Sequence, residues 1–175
     1  MFAPFFFQGT GEAPPTPRDI IGKSLRFRGA EELERTFATA GDQNKWTYSC
    51  WIKRGDLGSA MTVGLSTQAA SYGQEANLEF NSTANLLAYG SSNGTSWTTF
   101  LQSDQVFRDP SAWYHLIAVL DTDQASSDDR WKWYVNGTQI TSFSTYTLPA
   151  QGTNNYTNSA QSHTIGSRSN DTLEF

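Results

Sequence analysis

The segment KWTYSCWIK, residues 45–53, restricts the fold more than any other part of the chain. Trp46, Tyr48, Cys50 and Ile52 alternate with Lys45, Thr47, Ser49, Trp51 and Lys53. A period of two places the first set on one face of a β-strand and the second on the other. The same grammar returns roughly every 8–15 residues along the chain, which is the spacing of an all-β sandwich. Leu25 and Phe27 alternate with Arg26 and Arg28 as a first strand, and residues 33–37 read as a short second one. Strands are expected again at 59–66, 76–80, 85–91 and 96–102. Residues 112–121 are apolar on both faces, as a central strand requires. Residues 130–143 form a hairpin in which Trp131, Trp133 and Val135 share a face, and 163–169 are the last clear strand.

The connections carry matching turn chemistry. Asn93-Gly94 and Asn136-Gly137 are hairpin signals, the second suited to a type I′ turn, because Asn and Gly tolerate positive φ. NSTA separates the strands at 76–80 and 85–91, and residues 148–162 read as a long polar loop. No helical period outlasts a turn or two, and no internal repeat of fixed length occurs.

Composition narrows the function classes. The formal net charge is -5, which argues against nucleic-acid binding, since phosphate affinity comes from clustered Lys and Arg. The basic pair Lys53-Arg54 reads as a strand-end gatekeeper. There is one cysteine, so neither an intramolecular disulfide nor a Cys/His metal pattern can be built. Cys50 keeps phase with the apolar face of its strand and reads as a core thiol. Sequons at Asn81, Asn93, Asn136, Asn155 and Asn170 are expected incidentals of an Asn/Thr-rich chain.

Residues 1–22 form an arm, MFAPFFFQGTGEAPPTP and its continuation. Pro4, Pro14, Pro15 and Pro17 forbid a continuous helix. The arm lacks the basic region of a signal peptide, and no stretch approaches the roughly 20 apolar residues of a membrane span. Burial of Phe2, Phe5, Phe6 and Phe7 would gain at most about 6–12 kcal/mol, while ordering seven residues costs roughly 7–14. Stable docking therefore needs main-chain hydrogen bonds to a partner, or several arms acting together. The alternative is that these rings fold back on their own domain.

Five motifs in order, SLRFRGAEELERTF, KWTYSCWIKRG, WYHLIAVLDT, RWKWYVNGTQI and HTIGS, resemble a concanavalin A-like, laminin-G-type jelly roll. The likeness covers residues 23–175 and is nearest to the version in structural, tail-fibre-like proteins of tailed bacteriophages. The leader MFAPFFFQG is similar to the one that precedes the domain in such proteins. The resemblance implies a virion protein made in the host cytoplasm, held to other virion proteins by its arm and assembled as a homo-oligomer. It implies either a host-glycan-binding surface or a purely architectural role. The family pattern continues after IGS with a further strand, of which Phe175 would be the opening. Without it, an unpaired sheet edge is expected, to be completed by a partner or by a longer chain.

Glucanases of this fold carry alternate carboxylates on one strand as nucleophile and acid. Glu31, Glu32, Glu34 and Glu79 do not have that spacing, so no enzyme is expected, and a glycan hydrolase stays only as a remote alternative. His115 keeps phase with Ile117 and Val119 and reads as a hydrogen-bonded structural histidine. No motif calls for a cofactor. Laminin-G-type domains hold calcium at one rim, which makes Asp121 and Asp123 the candidate ligands, with a solvated acidic loop as the alternative. Asp128 and Asp129 lie in the same loop. For glycan, the candidates are Trp97, Tyr146, Tyr156 and Asn155, because sugars stack on exposed rings and bond to amides. Ordinary packing competes with that reading for every aromatic among them.

Overall fold

The computed structural model describes residues 25–27, 31–55, 57, 62–68, 74–81 and 84–167. The arm with Phe2, Phe5, Phe6 and Phe7, the boundary at residue 22 and the chain end at Phe175 lie outside the described residues.

Eleven strands occur among the described residues: β1 (Leu33–Thr36), β2 (Lys45–Ile52), β3 (Thr62–Gln68), β4 (Gln74–Phe80), β5 (Leu86–Asn93), β6 (Trp97–Val106), β7 (Tyr114–Asp121), β8 (Trp131–Val135), β9 (Thr138–Ile140), β10 (Phe143–Thr147) and β11 (Ser162–Ile165). They form two antiparallel sheets. The larger runs β1-β11-β3-β4-β5-β6-β10 and the smaller β2-β7-β8-β9. The all-β sandwich expected from the alternation is the architecture observed.

β2 shows why the pattern was informative. Lys45, Thr47, Ser49 and Trp51 are exposed, while Trp46, Tyr48, Cys50 and Ile52 are half-buried against the core. Tyr48 donates its hydroxyl to the Gly64 carbonyl at 2.8 Å. Burial pushes the Cys50 thiol above its ordinary value, which keeps it protonated and unreactive. β7 is central, between β2 and β8, as its two apolar faces require. The β8–β9 hairpin turns through Asn136 and Gly137, at φ 50° and 80°, as a type I′ turn needs.

Leu116, Ala118 and Leu120 of β7 meet Trp131, Trp133 and Val135 of β8 and the inward row of the larger sheet, including Leu78, Phe80, Tyr89 and Leu101. A chain of rings runs through this core. Tyr89 stacks on Trp131 at 4.4 Å, Trp131 meets Trp133 edge-on at 5.4 Å, Trp133 lies 6.0 Å from Phe143, and Phe143 stacks on Tyr146 at 4.7 Å. Each such pair adds roughly 0.5–1.5 kcal/mol beyond its area burial.

Two expectations are corrected. Residues 25–27 are not a strand. The Phe27 ring lies instead over Gly166, where an added Cβ would meet it at 2.7 Å. Gly166, at φ 103°, both makes the turn and admits the ring. Arg54 is no gatekeeper, because it is fully buried. Its guanidinium donates to Asn85 Oδ1 at 2.8 Å and to the Phe107 carbonyl at 2.7 Å, and lies over the Phe80 ring. It fixes the ends of three segments from inside.

Candidate functional site

After β9 the chain leaves the smaller sheet, and only Thr141 and Ser142 separate it from β10 in the larger one. Ser142 accepts the Asp104 N–H at 3.1 Å and donates its hydroxyl to the Asp104 carboxylate, which pins the connector to β6. Two edge strands joined so briefly leave the sandwich open at this corner. The opening is a cleft of about 430 Å³. β9 and the connector contribute Gln139, Ile140 and Thr141, and β10 contributes Phe143 and Tyr146. Trp131 at the start of β8 and Asp128 in the preceding 3₁₀ turn complete it.

Tyr146 is the ring this cleft presents. It is 44 % exposed, yet one face is braced by Phe143, itself near Trp133 in the core. Its hydroxyl reaches toward Asp128 Oδ1 at 3.5 Å. Partial burial, then the Asp128 carboxylate, hold the phenol above its ordinary pKa, so it remains a donor at neutral pH. Trp131 forms part of the wall, and its buried indole N–H finds no acceptor among the described residues. An aromatic platform backed by a rigid core, with an amide, a hydroxyl and a carboxylate alongside, is the composition of a small-ligand site.

The other glycan candidates fall elsewhere. Asn155 is only 3 % exposed. Its Oδ1 accepts the Tyr89 hydroxyl and the Thr157 N–H, and its backbone bonds both ways with Gln43. That side chain is committed to the fold, since removing it would take an acceptor from the buried Tyr89 hydroxyl. Tyr156 packs half-buried against the core. Both belong to residues 148–161, which are less a loose polar loop than a strap. Gly41 donates to the Asn158 carbonyl at 2.8 Å, and Asn158 Nδ2 to that of Asp42 at 3.0 Å. Trp97 is 45 % exposed, but its ring covers Gly90 so closely that an added Cβ would meet it at 2.5 Å. Gly90 lies between the inward-facing Tyr89 and Ser91, so Trp97 covers the outer face of the larger sheet, away from Tyr146.

Asp121 and Asp123 meet a lysine. Lys45 Nζ lies 2.9 Å from Asp123 Oδ2 and 3.7 Å from Asp121 Oδ1. Asp121 also accepts the Gln124 amide at 2.7 Å, and this bond foremost holds its carboxyl below the usual range. A calcium ion here would have to displace that ammonium. No cluster of three or more His, Cys, Asp or Glu able to hold a metal occurs among the described residues.

Trp51 and Trp113 are exposed rings that sequence reasoning left unmarked. Trp51, 59 % exposed, stacks on His115 at 4.8 Å, and His115 Nε2 lies 3.1 Å from Ser49 Oγ. The outward half of the β2 alternation was the signal for it. Among the described residues, β2 pairs only with β7.

Of the comparisons with known proteins, one gives a match. The profile of the concanavalin A-like lectin/glucanases superfamily, in its laminin-G form, matches residues 32–175. No curated protein and no solved structure gives a match to the chain. The matched residues contain both sheets and the cleft, and the chain belongs to the concanavalin A-like lectin/glucanases superfamily.

Proposed function

We propose that this domain is a carbohydrate-binding module without hydrolytic activity and that it takes its glycan in the cleft between β9 and β10. The observation that carries the reading is Tyr146, an exposed ring held in place by Phe143 beside polar groups that can bond to hydroxyls. Glycoside hydrolysis generally needs two carboxylates across the scissile bond. Among the residues lining the cleft, Asp128 supplies one. The setting we propose is a tail-fibre-like virion protein that meets host-surface polysaccharide and is anchored through its Phe-rich arm as a homo-oligomer. The five motifs and the leader support that setting. The test is a binding titration against envelope polysaccharides and neutral oligosaccharides, with wild type beside Tyr146→Ala. Saturable binding that the variant loses is expected, and binding of equal strength in both proteins removes the cleft from the account.

A second reading is favoured by β2. A regular strand whose other edge carries no strand among the described residues offers main-chain groups to an added strand. On that reading the domain is an architectural subunit that binds only virion proteins.

A further inference from the structure

The charges around the cleft are unequally satisfied. Asp121 ends β7, and three more aspartates follow it, at 123, 128 and 129. Asp121 and Asp123 share Lys45, and Asp129 is paired with Lys132 at 3.1 Å. Arg130 spends its donors on the carbonyls of Gln124, Ala125 and Pro149. Asp128 has no ion pair among the described residues, and its one hydrogen-bonding contact is the Tyr146 hydroxyl. Among the described residues, no Lys, Arg or His lines the cleft.

A lone carboxylate beside the rings of Tyr146 and Phe143 has a defined complement. The faces of aromatic rings carry negative potential and attract cations, ammonium groups among them. A carboxylate adds a charge-assisted acceptor, and an anionic ligand would meet Asp128 with no cation to offset it. We propose that the cleft recognises a protonated amine on its ligand, so that an amine-bearing sugar is preferred over its neutral or acidic counterparts. This inference rests on the carbohydrate reading above and names the substrate class of the same site.

The two ideas separate in one calorimetric experiment, run below the pKa of the sugar amine. The probes are a glucosamine oligomer, its fully N-acetylated counterpart of equal length, a cello-oligosaccharide and tetramethylammonium. The glucosamine oligomer is expected to bind roughly tenfold more tightly than the acetylated one, the size of a partly desolvated cation–π contact with a rim charge pair. In Asp128→Asn, whose fold is checked by its melting curve, that ratio should fall toward one. Equal or tighter binding of the acetylated oligomer overturns the inference and leaves the carbohydrate reading standing. A preference that survives in Asp128→Asn also overturns it. Binding of tetramethylammonium and of the amine oligomer alone, with neither neutral oligosaccharide bound, upholds the ammonium site and overturns the carbohydrate reading. No binding by any probe overturns both.

Discussion

The chain of rings through the core ends in two tyrosines with opposite fates. Tyr89 is fully buried, and its hydroxyl is bonded to Asn155 and Thr157 of the strap. Tyr146 stands at the open corner, and its hydroxyl reaches toward a carboxylate with no other partner among the described residues. Burial drives the Tyr89 phenol above its ordinary pKa, and the bonds from Thr157 and Asn155 only partly offset it. The difference comes from what each end meets. At Tyr89 a long segment folds across, and its Asn155 and Thr157 supply the partners of the hydroxyl. At Tyr146 the chain crosses between sheets in two residues, and the ring stays 44 % exposed among the described residues. The same side chain is a structural bond at one end and a presented surface at the other.

Cutting the chain in the middle should abolish both ends. Trp131→Ala removes a ring that touches Tyr89, Trp46 and Trp133 and is expected to cost roughly 3–5 kcal/mol. That is a large part of a domain's usual 5–15, and chemical denaturation measures it. Next in size is Asn155→Ala, which should lower stability by about 1–3 kcal/mol, because the Tyr89 hydroxyl loses a buried acceptor. Glycan affinity should not change with it. Tyr146→Ala reverses the pattern, with about a tenfold loss of affinity, or 1.4 kcal/mol, and a melting temperature close to wild type. Should the two variants give the same pattern, the distinction between the ends is lost.

Near pH 6.5, acid should act on the strap end. His163 Nδ1 donates to the Gln161 carbonyl at 3.0 Å, and Nε2 accepts the Asn158 N–H at 3.1 Å. The ring is therefore held neutral, and burial lowers its pKa. The unfolded chain takes up a proton near pH 6.5 that the folded ring refuses. Stability should therefore fall as the pH drops below about 6.5 and continue falling through the lower folded pKa. Melting curves across that range measure the slope, which His163→Gln should flatten. The smallest effect belongs to Lys45→Met. Loss of an exposed ion pair should leave the melting temperature within error. Asp121 and Asp123 would then lack their cation, as Asp128 does, and calcium titration should shift their amide resonances more than in wild type.

What was legible in the sequence was local. β2 and the Asn136-Gly137 turn could be read from neighbouring residues, because alternation and positive φ are properties of short segments. The burial of Asn155 was not legible. It depends on Tyr89, which lies 66 positions away, and no local signal separates a sugar-binding amide from one that satisfies a buried phenol. The pairing of Asp121 and Asp123 with Lys45 is illegible for the same reason, since it follows from β2 lying opposite β7 in register. Tyr146 was marked as an exposed ring. Its cleft was not, because nothing within residues 138–147 says that the two strands belong to different sheets. Leu25–Arg28 alternates as well as a strand does, but Phe27 is placed by Gly166, far along the chain.

The most direct test of the central claim is an amide-resonance titration of the domain with an oligosaccharide that it binds. Shifts are predicted to gather at Gln139, Thr141, Phe143 and Tyr146, to include the Trp131 indole N–H, and to vanish in Tyr146→Ala. Shifts centred on Trp51 and His115, or on the strap at Asn155 and Tyr156, would contradict the account.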